Sequence, residues 1–184
     1  MKKGLIVVGS ILFLVFIIFM MYRSNFNTAN SYQKDVDKAW GNVQSSYQRR
    51  ADLIPQLVAT VKGAAENEKG ILTAVTQARA GIVNAKTPED MEIMGKKINT
   101  AINLAFEAYP QIRSTENFQE LQTQLEGTEN RINYSRDEYN EKVALYNNHI
   151  TGFLNEMLLS KTRFPQKESF KAAEGSEKAP EVKF

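Results

Sequence analysis

The sequence predicts an all-α protein: a membrane-anchored antiparallel four-helix up-and-down bundle with two long and two short helices. Three observations predict it. Gly4 to Tyr22 is an uncharged run of nineteen residues. Beyond it, apolar residues recur at steps of three and four and no segment alternates with period two, the mark of amphipathic helices. The connections are short, which makes sequential helices antiparallel neighbours. The chain divides accordingly into a transmembrane anchor (1–23), a helical bundle domain (24–161) and an extended C-terminal tail (162–184).

The anchor comes first. As a helix, the run from Gly4 to Tyr22 is roughly 28 Å long, close to the thickness of a bilayer's hydrocarbon layer. It is longer than the apolar core of a secretory signal, and Arg23-Ser24-Asn25-Phe26-Asn27-Thr28-Ala29-Asn30 after it holds no A-x-A-like cleavage site, so an uncleaved span is expected. Lys2 and Lys3 outweigh Arg23, which favours an inside amino terminus, although Lys34 and Lys38 on the far side narrow the difference. With the amino terminus inside, the chain is expected to be a single-pass membrane protein with its bundle outside the cytoplasm. Tyr22 and Phe26 fall where aromatic side chains favour the membrane interface.

The first long helix keeps Tyr32, Val36, Trp40, Val43, Tyr47, Ala51, Ile54, Val58, Val61 and Ala65 on one face. Pro55 has no amide to offer Ala51, so a kink or local opening is expected from Ala51 to Ile54. Asn67 to Gly70 reads as a polar stop, followed by a short second helix through Ile71, Leu72, Val75, Ala78, Ile82 and Val83. Thr87-Pro88-Glu89-Asp90 supplies a capping hydroxyl, a first-turn proline and two acids, the clearest helix start in the chain. The third helix carries Met91, Met94, Ile98, Ile102, Ala105 and Tyr109 up to Pro110. Ser114 or Thr115 caps the fourth, whose seam runs from Phe118 through Leu125, Ile132, Tyr139, Val143, Tyr146 and Ile150 to Phe153 and Met157. Beyond Lys161 the chain turns polar and reads as a tail.

Charge and composition exclude several classes of function. The first 23 residues hold three basic residues and no acid, leaving 20 basic against 21 acidic residues in the remainder. Without a basic face, no nucleic-acid footprint is expected. With no cysteine there is no disulfide framework, thiolate nucleophile or zinc finger. Carboxylate-bridged metal bundles need Glu-x-x-His pairs, whereas the one histidine, His149, follows Tyr146 at that spacing. Neither a G-x-S-x-G elbow nor a Walker-type loop is present. No catalytic residue, cofactor or metal is therefore expected, and the chain reads as no enzyme.

Local strings on these helices carry a resemblance. Ala39-Trp40, then Gln48-Arg49-Arg50-Ala51-Asp52-Leu53-Ile54-Pro55-Gln56-Leu57-Val58 and Val61-Lys62-Gly63, followed by Ala78-Arg79-Ala80, Glu107-Ala108-Tyr109-Pro110, Thr128-Glu129-Asn130-Arg131-Ile132, Tyr139-Asn140 and Tyr146-Asn147, resemble the LemA family of membrane-anchored bacterial helical proteins in the same order. Phe170, Ala172, Gly175, Glu177, Ala179-Pro180, Val182 and Phe184 resemble its closing segment. Phe153-Leu154 departs from the family's usual Phe-Pro, so the fourth helix lacks that stop. The resemblance implies a four-helix bundle behind one span and carries no catalytic residue.

Two groups of residues remain as candidates. Gln122, Glu129, Arg136, Asn140 and Asn147 form a polar stripe beside the fourth seam, open to burial by a third neighbour. With Arg49, Arg50, Asp52 and Arg131 they form either a register-fixing ion-pair network or a pocket for a small ligand, the network being favoured. Aligning the first and fourth helices antiparallel pairs positions whose numbers sum to roughly 182. Arg50 is then expected to meet Glu129, and Asp52 to face Arg131 or Arg136. The second candidate is the terminus Pro180, Val182 and Phe184, a shape PDZ-type domains accept as an added strand. The function expected is an envelope scaffold or interaction protein, forming a homo-oligomer or holding an envelope partner. The alternative is a sensory bundle presenting a small ligand or peptide to a partner membrane protein.

Overall fold

A computed structural model describes residues 2–60, 65–108 and 116–171; of residues 2, 57–60, 65–72, 74, 75, 105, 106, 108 and 116–118 only the backbone is described. It is all-α, with helices α1 (Lys2–Thr60), α2 (Ala65–Asn84), α3 (Pro88–Ala108), α4 (Glu116–Ile150) and α5 (Phe153–Leu158) and no strand among the described residues. The expected stop at Tyr109-Pro110 and the expected cap at Ser114 or Thr115 lie outside them.

Three boundaries differ from expectation. The apolar run and the first amphipathic arm are one helix, α1, which continues through Pro55 without opening. A single missing amide removes one backbone bond, and the apolar face of Ala51 and Ile54, both buried, holds the turn in place. Asn67 to Gly70 is no stop but the first turns of α2. Glu66, Glu68 and Lys69 are good helix formers, and one glycine costs only about 1 kcal/mol against them. The fourth helix ends at Ile150 instead of near Leu159. There the Asn155 side chain donates to the His149 carbonyl at 2.7 Å and the Gly152 amide to the same carbonyl at 3.3 Å, satisfying a helix-end acceptor without proline. Phe153 and Met157 consequently leave the seam and stand exposed.

The molecule consists of two compact units. The first comprises residues 1–41 and 141–167. Ala29, Val36 and Ala39 of α1, Val143, Tyr146 and Ile150 of α4, and Leu159 and Phe164 beyond α5 supply its core. Toward the amino terminus, α1 is one helix long and apolar enough to cross a membrane, and its residues from Leu5 to Tyr22 are exposed. His149 is half-buried: its Nε2 lies 3.2 Å from the Asn25 carbonyl and its ring edge-on to Tyr32.

The second unit comprises residues 42–140 and 168–184. Val43, Tyr47, Ala51 and Ile54 of α1, Ala78 and Ile82 of α2, Met91, Ile98 and Ile102 of α3, and Leu121, Leu125, Ile132 and Tyr139 of α4 supply its core. Asn42 meets Glu138 and the Ser46 hydroxyl meets Ser135 at 3.0 Å, so α1 and α4 run antiparallel here. Gln44 donates to the carbonyls of Ile82 and Ala85, closing the end of α2. At the start of α3, Thr87 accepts from the Asp90 amide while Asp90 accepts from the amides of Thr87 and Lys86, a reciprocal cap. Hydrogen bonds from Thr87 and the Lys86 amide hold the Asp90 carboxyl below its ordinary range.

Gly95 lets α3 approach Tyr47, since a Cβ there would lie 2.8 Å from the ring. Gly95→Ala is therefore expected to destabilise by about 1 to 3 kcal/mol through overpacking. Gly41→Ala meets nothing within 4 Å and is expected to stabilise by up to about 1 kcal/mol. Urea midpoints moving in the same direction for both would contradict the packing argument.

Candidate functional site

The polar cluster lies in the second unit. Arg50 pairs with Glu129, with side-chain exposures of 13% and 46%. Arg136 pairs at 3.0 Å with Glu92 of α3. Asp52 faces neither Arg131 nor Arg136; it pairs at 2.9 Å with Arg79 of α2. The reason is rotational: Asp52 is two residues from Arg50, and 200° of helical turn aims it at a different neighbour. Arg49 and Arg131 are exposed. Between the pairs stands buried Tyr47, whose hydroxyl is pushed up in pKa by burial, with Arg136 opposing and Glu129 and Glu92 adding to the rise. Arg50 Nε is buried without a hydrogen-bond partner. Arg50 with Glu129, and Arg136 with Glu92, are thus charge partners of one another across neighbouring helices.

The second feature was not expected from charge or motif. After α5 the chain turns back as an extended strap along α4, and Tyr-Asn dipeptides on α4 take up its backbone polar groups. In the first unit, Tyr146 donates to the Pro165 carbonyl at 3.0 Å. Asn147 donates to the Lys167 carbonyl at 2.8 Å and accepts from the Lys167 amide at 3.0 Å. In the second unit, Tyr139 donates to the Glu168 carbonyl at 3.0 Å, while Asn140 donates to the Phe170 carbonyl and accepts from its amide at 3.1 and 2.8 Å. The Asn carboxamide thus pairs with one residue as a neighbouring β-strand would. In each unit the Tyr-Asn pair takes two strap residues that are two apart in the sequence.

Aromatic residues close each end. Phe164 is buried edge-on against Phe26, with Arg163 over its face. Phe170 is buried edge-on against Tyr139, and the Arg136 guanidinium lies 4.7 Å above its ring. Lys167 reaches Asp37 of α1 at 3.7 Å. Asn140, a predicted stripe residue, thus serves the strap, together with Asn147; Glu92 and Arg79 were missed as ion-pair partners. The available signal was the Tyr-Asn repeat at heptad spacing. Pro180, Val182 and Phe184 lie outside the described residues.

Comparison with known proteins bears on this arrangement. A curated relative, Protein LemA of Metamycoplasma hominis, is 22% identical over 162 residues, covering 86% of this chain and 74% of that protein. The model of the LemA family matches residues 39–184, a stretch that includes α1 from Ala39 onward, helices α2 to α5, the Tyr-Asn dipeptides and the strap. The chain belongs to the LemA family.

Proposed function

We propose that this protein is a non-enzymatic, single-pass membrane protein whose helices form an up-and-down four-helix bundle outside the cytoplasm and organise partners, or copies of itself, at the bacterial envelope. The observation that carries the reading is α1, a helix that is apolar and exposed from Leu5 to Tyr22 and then amphipathic and packed from Ala29 onward. Apolar exposure on all sides suits lipid, and an exit with no intervening loop suits holding a domain near the bilayer. A sensory bundle has weaker support, because Arg50, Arg136, Glu92 and Glu129 are engaged with one another.

The test is the size of the full chain extracted in mild detergent, together with reporters fused to its carboxyl end. A defined assembly, or co-purification of one stoichiometric envelope protein, is expected, with a reporter active only outside the cytoplasm. A monomer that binds a small ligand would replace the scaffold with the sensory reading. The proposal extends to Val182 and Phe184, apolar residues two apart that suit the alternate side-chain pockets of a PDZ-type domain.

A further inference from the structure

We propose that α5 is an interfacial foot: its apolar face lies in the headgroup layer of the same bilayer leaflet from which α1 emerges. This rests on the reading of α1 as a membrane span and assigns a second lipid contact to the chain.

Three observations within the first unit carry it. In α5, Phe153, Leu154 and Met157 are 81%, 51% and 76% exposed, and no residue of the helix is buried. At helical spacing the three share one face, while Asn155 and Glu156 occupy the other. Large exposed side chains grouped on one face mark a contact surface, whereas single exposed ones do not.

The height of that face is fixed by hydrogen bonds. Asn155 holds the His149 carbonyl at 2.7 Å, and His149 in turn lies 3.2 Å from the Asn25 carbonyl. Asn25 is three residues, about 4.5 Å of helix, beyond Tyr22, the last residue of the apolar run. Phe164, after α5, packs on Phe26, whose ring stands 6.0 Å from that of Tyr22. The apolar face of α5 is therefore pinned at the point where α1 leaves the hydrocarbon. An interfacial helix sinks its apolar side about 5 to 10 Å into the boundary between headgroups and acyl chains, a depth within reach of this position.

Charge agrees with this placement. Arg23 and Arg163, next in the chain to Tyr22 and Phe164, are exposed, and such groups suit the phosphates of anionic lipids. Glu156, the one acid of α5, is paired with Lys161 at 2.8 Å and its carboxyl is held below the usual range by that lysine. A bilayer surface thus meets Phe153, Leu154 and Met157 with basic side chains beside them.

The absence of cysteine makes the test direct. Full-length Phe16→Cys, Met157→Cys and Glu141→Cys chains, each spin-labelled and reconstituted into vesicles of phosphatidylcholine and phosphatidylglycerol, report their accessibility to oxygen and to a water-soluble nickel chelate. The label at 16 is expected in lipid, that at 141 in water, and that at 157 between them, with oxygen favoured over the chelate several-fold relative to 141. Equal values at 157 and 141, with 16 in lipid, overturn the foot and leave the span intact. An aqueous value at 16 overturns both. A label at 157 shielded from both probes, with broadening between copies, would replace the bilayer by a second copy of the chain and overturn the proposal.

Discussion

Glu129→Ala is expected to destabilise the second unit by about 3 kcal/mol, because it strands the Arg50 guanidinium in a site only 13% exposed. The loss is one of desolvation without a counter-charge, and Arg50 Nε, already unpartnered, has no spare bond to offset it. Replacing both members, Arg50→Met with Glu129→Leu, removes the buried charge together with its partner and is expected to restore most of the stability. Asp52→Ala breaks a pair about half exposed on both sides and should cost less than about 1 kcal/mol. Chemical denaturation of the four proteins checks the order. A double variant less stable than Glu129→Ala would show that the pair contributes net attraction and does more than set register.

Phe170→Ala is expected to weaken docking of the strap by about 3 kcal/mol, the usual cost of deleting a buried phenylalanine ring. Tyr139 would lose its edge contact and Arg136 its aromatic platform. Because the strap lies outside the helices, the loss should appear as local opening: hydrogen exchange at the Phe170 amide should quicken about 100-fold, while core amides of α4 near Ile132 change little. Asn140→Asp separates the hydrogen bonds from the packing. It still accepts from the Phe170 amide but presents an oxygen to the Phe170 carbonyl, so a loss of about 1 to 3 kcal/mol is expected with the ring in place. Unchanged protection in either variant would show that the strap is held elsewhere.

Much of this arrangement was legible before any coordinates. Thr87-Pro88-Glu89-Asp90 announced α3 because its capping chemistry is local, and the Arg50 to Glu129 pair followed from antiparallel arithmetic because helices of equal rise keep constant register. The pairs that were missed, Asp52 with Arg79 and Arg136 with Glu92, involve α2 and α3, whose rotation about their own axes no seam-to-seam alignment determines. The end of α4 was hidden because asparagine and glycine stopped it where a proline was sought. The strap was hidden for another reason: residues 162–171 are polar and proline-marked in the manner of a free tail, and the surface that receives them is built from Tyr-Asn side chains that pair with backbone. Phe164 and Phe170 were the two residues in that stretch whose burial would repay docking.

Within each unit, the Tyr-Asn pair makes segment length a quantised property. Two adjacent side chains of α4 hold strap residues that are two apart, Pro165 and Lys167 in the first unit and Glu168 and Phe170 in the second. One residue added between Glu168 and Phe170 would move the Phe170 backbone by about 3 Å, too far for a side-chain amide to follow. Changes of side chain at Gln166 or Ser169 leave the backbone bonds intact, whereas changes in count do not. Each Tyr-Asn pair thus acts as a gauge that measures the length of the chain it holds and is indifferent to its lettering.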